Sequence, residues 1–260
     1  MKLSIIIPVY NSTNILDALI DNIKENVLIN FKNTEVILVN DFSSDDSWQK
    51  IKSLKTKNDF IKGITLKKNY GQHSAIFCGL KNCTGDFVVC MDDDMQHDPK
   101  HILKMTNELK SNDVCYVKYE KREHDYIKIL ISKLNNFVSS FLMNKSYKIY
   151  TSSFKCFNQN ICKKIISNDE TFIFLDYWIF KYTNKITFIE VSHNKRFNGK
   201  TNYGLRQLLT LWSKMIFLIE VNKNSSRFYI LFLIKFFFKI FLKNYINYEK
   251  EDKIEISEII

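Results

Sequence analysis

Hydrophobic and polar positions follow one another in a regular order along the first half of the chain. Residues 3–9, LSIIIPV, form an almost uninterrupted apolar run, the pattern of a strand buried on both faces. The polar NSTN that follows predicts a helix cap, because Ile15, Leu19, Ile23 and Val27 then recur at i, i+4 spacing with Leu16 and Ile20 beside them. Residues 36–39 predict a second strand ending at Asn40 and Asp41, and Ser43-Ser44 predicts the opening of a short helix carrying Trp48, Ile51 and Leu54. A third strand at 61–66, a helix at 71–80 and a fourth strand at 87–91 complete the pattern. Strands and helices alternating at this spacing predict an α/β fold, a Rossmann-like, doubly wound, mostly parallel sheet.

Beyond Asp113 the pattern loosens. It predicts a strand at 114–118, an amphipathic helix with Ile127, Ile131, Leu134, Val138 and Phe141 on its apolar face, and further strands near 153–157 and 186–191. Residues 228–246, FYILFLIKFFFKIFLKNYI, are long enough to cross a bilayer, but Lys235, Lys239 and Lys243 interrupt them at every fourth position. A spanning helix would hold a lysine near the midplane at a cost of ~2.5–3.5 kcal/mol, whereas an in-plane amphipathic helix puts the lysines at anionic headgroups and the phenylalanines in the acyl boundary. The expected organisation is a catalytic domain over 1–221 and a C-terminal amphipathic membrane-surface helix with a charged tail over 222–260, the end from Glu249 onward reading as disordered.

Composition narrows the partners. At 260 residues and 45% hydrophobic the chain is long enough for a sizeable core, and its net charge of +10 favours nucleotide phosphates, anionic lipid or nucleic acid without choosing among them. The six cysteines form no CxxC pair and several lie in apolar runs, which fits a reduced, cytosol-facing protein. The amino terminus enters its first strand without a basic region and cleavage site, so the catalytic part is expected in the cytoplasm.

The densest chemistry lies at 88–99, VVCMDDDMQHDP, where a strand delivers three consecutive aspartates and then Gln96, His97 and Asp98. Crowded carboxylates repel one another unless a cation or water screens them, and all-oxygen ligation suits Mg²⁺ or Mn²⁺. Asp98 and Pro99 read as N-cap and first helical residue, so the cluster occupies a strand-to-helix turn. Asp41, Asp92 and Asp94 should meet along the carboxyl edge of the sheet, where one can hold a base or ribose and the others a metal. The polar loop at 193–203, HNKRFNGKTNY, offers phosphate the Arg196 fork, Lys195, Lys200 and the Thr201 hydroxyl. Lys121 and Arg122 read equally as added charge for an acceptor phosphate and as a solvated run. His97 and His101 are four apart, but Pro99 separates them across the helix start, which argues against a zinc pair. Asp176, a lone carboxylate in IFLDYWIF, reads either as a general base or as a structural, acceptor-positioning group.

The successive segments SIIIPVYN, VNDFSSDDS, KNYGQHSAIFCGL, GDFVVCMDDDMQHDP and HNKRFNGKTNYGLRQLL resemble the signatures of the family-2 glycosyltransferases, in the order of the branch that loads sugars onto polyprenyl phosphates such as dolichyl or undecaprenyl phosphate. That resemblance implies an A-type glycosyltransferase fold and an inverting, Mg²⁺- or Mn²⁺-dependent transfer from a UDP- or GDP-sugar to a polyprenyl phosphate, at the cytoplasmic face of the cell membrane. It implies that Pro8, Tyr10 and Asp41 line the nucleotide pocket; that Asp92 and Asp94, with Gln96, form the metal and donor site, with Asp93 at its variable middle place on the donor side; and that Arg196 and Thr201 contact phosphate, which makes Asp92, Asp94 and Arg196 the expected catalytic set. Many relatives carry Asp-Gly where this chain has Asp41-Phe42, so the turn is expected to lose the unrestricted backbone of glycine. Many also continue into two transmembrane helices, which are not expected here. Two other readings stay open: transfer to a saccharide hydroxyl with Asp176 as base, and a non-catalytic basic module for membrane or nucleic acid. The clustered acids oppose nucleic acid in the cleft, and no nucleic-acid partner is expected.

Overall fold

A computed structural model of the chain describes residues 1–119, 133, 136–141, 143, 149, 151–167, 174–191, 216, 232, 234–236 and 253–260. Every residue of β1 (Leu3–Val9) is buried, as a central strand between helical layers requires. It pairs in parallel with β2 (Thr34–Asn40) on one side and β4 (Phe87–Cys90) on the other, and β2 pairs in parallel with β3 (Ile61–Leu66). The crossovers are α1 (Leu16–Ile23), which runs on into a π-helical turn at Lys24–Leu28, then α2 (Ser47–Lys57) and α3 (Gln72–Lys81). Successive strand residues face opposite layers: Leu3, Ile5, Ile7 and Val9 pack with Leu16, Leu19 and Ile23, while Ile6 packs with Ala75 and Leu80.

Past β4, a 3₁₀ turn at Pro99–His101 and α4 (Ile102–Glu108) lead to β5 (Val114–Tyr119). β6 (Lys155–Asn158) enters antiparallel between β4 and β5, followed by α5 (Gln159–Ile166), α6 (Leu175–Tyr182) and β7 (Ile186–Val191), which runs parallel to β5. With β8 (Ile256–Ile259) the sheet has the order β7-β5-β6-β4-β1-β2-β3-β8, mostly parallel and covered by helices. The expected α/β, doubly wound architecture is the observed one.

Three expectations need correction. NSTN does not cap α1: Ile15 holds the N-cap position without a side-chain bond, and the polar residues reach across to the next loop instead, Ser12 N–H to Ser47 Oγ at 2.8 Å and the Thr13 hydroxyl to Asp45 at 2.7 Å. For the same reason α2 starts at Ser47 and not at Ser43. Nor is the chain end a disordered tail over its last residues. β8 pairs antiparallel with β3, Ile260 and Gly63 exchange backbone bonds at 2.9 and 3.1 Å, and Glu255 and Glu258 are paired with Lys67 and Lys52. An edge strand with exposed side chains needs no apolar run, which is why its sequence reads as a tail.

The chain divides into two compact units, Met1–His124 with Lys148–Asn198 and Asp252–Ile260, and Asp125–Tyr147 with Gly199–Glu251. In the second, residues 136–141 are helical, Met143 and Ile216 are buried, and Phe137, Phe232 and Phe236 are exposed. Most of the expected helix from Ile127, the loop at 193–203, Lys239 and Lys243 lie outside the described residues. Among the described residues no helix is long and apolar enough to cross a membrane.

Candidate active site

Each of the four adjacent parallel strands leaves the sheet through a residue with positive φ: Asn11 (54°) after β1, Phe42 (57°) after β2, Gly71 (88°) after β3 and Met95 (63°) after β4. Glycine takes this conformation freely; for the other three it costs about 1 kcal/mol or more each. Strain gathered on one edge of a sheet marks turns shaped for something other than stability. The expectation for position 42 is therefore revised. Phe42 adopts the left-handed backbone that a glycine would take there, so the turn is kept and strained.

The loops are tied to one another. Asn11 N–H donates to Ser43 Oγ at 3.0 Å, and Ser44 N–H donates to Asn11 Oδ1 at 2.9 Å. Asp41, expected on the nucleotide base, is only 3% exposed, and its two carboxylate oxygens accept the Tyr70 and Gly71 N–H groups at 2.8 Å each. Burial raises its pKa, outweighing those two bonds. Asp41 thus holds the β3–α3 loop in place. Pro8 is buried within β1, and Tyr10 stands exposed at the strand's exit.

The three aspartates do different things. Asp92 is clamped: Gln72 Nε2 donates to Oδ1 at 2.5 Å, the Ser153 hydroxyl donates to Oδ2 at 2.8 Å, and Asp92 N–H donates to His97 Nδ1 at 2.9 Å. His97 is buried and stacked on Phe154 at 4.9 Å. With Nδ1 accepting, the neutral ring carries its proton on Nε2, which lies 3.4 Å from Ser153 Oγ. Asp93 turns away to accept the Ser12 hydroxyl at 2.5 Å, and burial pushes its pKa up to about 6. Asp94 accepts Gln96 N–H at 3.0 Å, closing the tight turn at Met95, and Asp98 caps the following turn by accepting Lys100 N–H at 3.1 Å.

Because the aspartates diverge, no group of three or more His, Cys, Asp and Glu side chains among the described residues converges on a metal position. What Asp92, Asp94 and Gln96 offer is oxygen alone. Each Asp92 oxygen with one bond made keeps a lone pair, so the set fits a hard divalent cation that completes its shell from phosphate and water.

Asp176, at the start of α6, is 6% exposed and ion-paired with Lys155, itself 4% exposed; the Tyr116 hydroxyl donates to the same oxygen at 2.7 Å. Lys155 Nζ also lies 5.2 Å from the centroid of the Tyr116 ring. His73, in the first turn of α3, packs edge-on against Phe174 at 4.9 Å. Sequence reasoning missed Gln72, Ser153, Ser12, Tyr116 and Lys155. Lys155 did carry a signal, a single charge in the apolar run FKCF that could have been matched to the single charge in FLDYW. Arg122, Arg196 and Thr201 lie outside the described residues.

The comparisons with known proteins agree with this architecture. The chain is 30% identical, over 217 residues, to the undecaprenyl-phosphate 4-deoxy-4-formamido-L-arabinose transferases of Yersinia pestis (strain Pestoides F) and Yersinia pseudotuberculosis serotype O:3 (strain YPIII). The match takes in 83% of this chain and 66% of each relative, so the chain spans just under two thirds of their length. Among solved structures, it resembles the glucosyl-3-phosphoglycerate synthase of Mycobacterium tuberculosis with phosphoglyceric acid, with a TM-score of 0.64 and 13% identity over 86% of this chain and 81% of that one. The same enzyme with Mn²⁺, UDP and glucosyl-3-phosphoglycerate gives a TM-score of 0.61 at 14% identity, over 83% and 77%. At such identities the likeness establishes the A-type glycosyltransferase fold. The model of the family described as glycosyl transferase family 2 matches residues 4–166, from β1 through the three aspartates to the end of α5, and the chain belongs to that family.

Proposed function

We propose that this protein transfers a sugar from a nucleoside diphosphate sugar, UDP- or GDP-linked, to a polyprenyl phosphate at the cytoplasmic face of a membrane. The observation that carries the choice of acceptor is the state of Asp176. A hydroxyl acceptor needs a base to take its proton, and Asp176, the carboxylate that the sequence offers for that role, is buried with one oxygen held by both Lys155 and Tyr116. A phosphate acceptor is anionic and needs none. The Yersinia relatives, named for transfer involving undecaprenyl phosphate, support the same reading.

In the proposed step an acceptor phosphate oxygen attacks the anomeric carbon while the bond from that carbon to the donor diphosphate breaks, its electron pair leaving with the nucleoside diphosphate and the configuration inverting. A Mg²⁺ or Mn²⁺ ion held by Asp92, Asp94 and Gln96 would supply charge for the leaving diphosphate; the Mycobacterium tuberculosis neighbour was solved with Mn²⁺ and UDP. Gln72 and Ser153 keep the Asp92 carboxylate from rotating and His97 fixes its backbone N–H, so its orientation is set before the donor arrives. Tyr10, Pro8 and Asp93 belong to the proposed donor side, and Arg196, Thr201 and Arg122 are proposed to steady phosphate.

Membrane contact is proposed for residues 222–260 short of β8. Phe232 and Phe236, one helical turn apart, are 59% and 57% exposed, which fits rings held in the acyl boundary of an anionic surface. The deciding experiment incubates the protein with UDP- and GDP-sugars and Mn²⁺, offering a short polyprenyl phosphate or free saccharides, and reads products by mass spectrometry. Glycosylated lipid phosphate is expected. Transfer to saccharide alone would return Asp176 to the role of base.

A further inference from the structure

We infer that Phe42 is a stacking residue for the donor's nucleobase, so that this chain holds the base by ring contact beside the buried Asp41. The inference rests on the donor reading above and deepens it to how the nucleoside diphosphate is gripped. Asp41 N–H still bonds Val9 O at 2.9 Å, so the β1–β2 ladder extends to the sheet edge and sets Phe42 just beyond it, beside Asn11. There Phe42 holds φ at 57°, a conformation that disfavours any side chain with a Cβ, and the ring gains little burial in exchange, being 55% exposed. A strained, exposed aromatic is what folding alone would replace with glycine.

Three neighbours say what the ring is for. Asp41 accepts one bond at each oxygen from the Tyr70 and Gly71 N–H groups and is only 3% exposed, which leaves little of the strand-end carboxylate open to a base. Tyr10 follows Val9, whose register partner in β2 is Asn40, and is 53% exposed, so two exposed rings leave the ends of neighbouring strands that lie about 5 Å apart. The turn that carries Phe42 is braced by the Asn11 bonds to Ser43 and Ser44, so the ring is presented on a fixed backbone. Every base has a π-face, and a stacked ring grips uracil and guanine alike.

The test measures binding of UDP and of GDP, with Mn²⁺, by calorimetry on the full chain and on Phe42→Tyr, Phe42→Leu and Phe42→Gly, with a melting curve for each. Phe42→Tyr is expected to bind within about two-fold of the parent, and Phe42→Leu and Phe42→Gly about ten-fold more weakly. Phe42→Gly should nevertheless melt at or above the parent temperature, because it relieves the left-handed strain. Phe42→Leu separates ring from backbone, since it keeps the strain and loses only the π-face. Parent-like affinity in both Phe42→Leu and Phe42→Gly would overturn the stacking role while leaving the donor reading intact. A parent protein that binds neither nucleotide would overturn both.

Discussion

Ser153 donates its hydroxyl to Asp92 Oδ2 at 2.8 Å, joining residues 61 apart in sequence. The pairing follows from strand direction. β6 runs antiparallel to β4 with Lys155 opposite Cys90, so the residues just before β6 arrive where β4 releases its aspartates. Hydrogen bonds to charged groups contribute ~1.5–3 kcal/mol, so a carboxylate freed to rotate should cost the reaction measurably. Ser153→Ala is expected to lower turnover about ten-fold or more with a normal melting curve, and Ser153→Thr to restore part of it. Steady-state kinetics on donor and acceptor check this; unchanged turnover in Ser153→Ala would remove the clamp from catalysis.

The Lys155–Asp176 pair yields a prediction that also separates the two acceptor readings. Lys155→Met strands a buried carboxylate and should cost ~3–5 kcal/mol in chemical denaturation, whereas Lys155→Met combined with Asp176→Leu should recover much of that. If Asp176 is structural, the double variant keeps transfer within about ten-fold of the parent. Loss of transfer in a double variant that folds would show the carboxylate acting in the reaction.

The sequence exposes what local patterns encode. Leu3–Val9 and Phe87–Cys90 are short apolar runs that read as buried strands, and Asp98-Pro99 starts its helical turn as the residues require. Pairings across the sheet are not encoded locally. Ser153, Gln72 and Lys155 gain their roles from strand order, and no spacing within SSFK announces that it will lie beside Asp92. Asp41 shows the reverse case: its position at a strand end is legible, but the N–H groups of Tyr70 and Gly71 reach it only because the β3–α3 loop folds back over the neighbouring strand.

Glu35 predicts an acid limb in the stability profile. Burial raises its pKa, but bonds from Ser4 and Thr84, together with Lys2, outweigh burial and hold it below the usual value of 4.5. A carboxyl whose pKa is depressed on folding contributes stability above its unfolded pKa and loses it as pH falls through the folded one. The contribution should therefore be intact at neutral pH and fade below about pH 4.5. Glu35→Gln should melt lower than the parent at pH 7 and converge with it as pH is lowered toward 3. Melting curves at stepped pH would show parallel profiles if the Ser4 and Thr84 contacts carry no weight.

The last prediction concerns the edge where β8 closes on β3. A Cβ built on Gly63 would lie 2.7 Å from Ile51 Cγ2 and 2.8 Å from Ile260 Cγ1, so glycine is what lets Ile260 pack over β3. Gly63→Ala should then cost ~1–3 kcal/mol by overpacking. Adding Ile260→Ala should return part of that loss and no more, because the Ile51 contact remains. Glu258 also accepts from Trp48 Nε1 at 3.1 Å and pairs with Lys52, fastening β8 to α2. Deleting residues 253–260 should lower the melting temperature and promote aggregation, since it bares the unpaired N–H and C=O groups of β3. Light scattering and thermal melts on the parent and the deletion measure it, and a deletion that melts and scatters like the parent would mean that β8 does not close the sheet in solution.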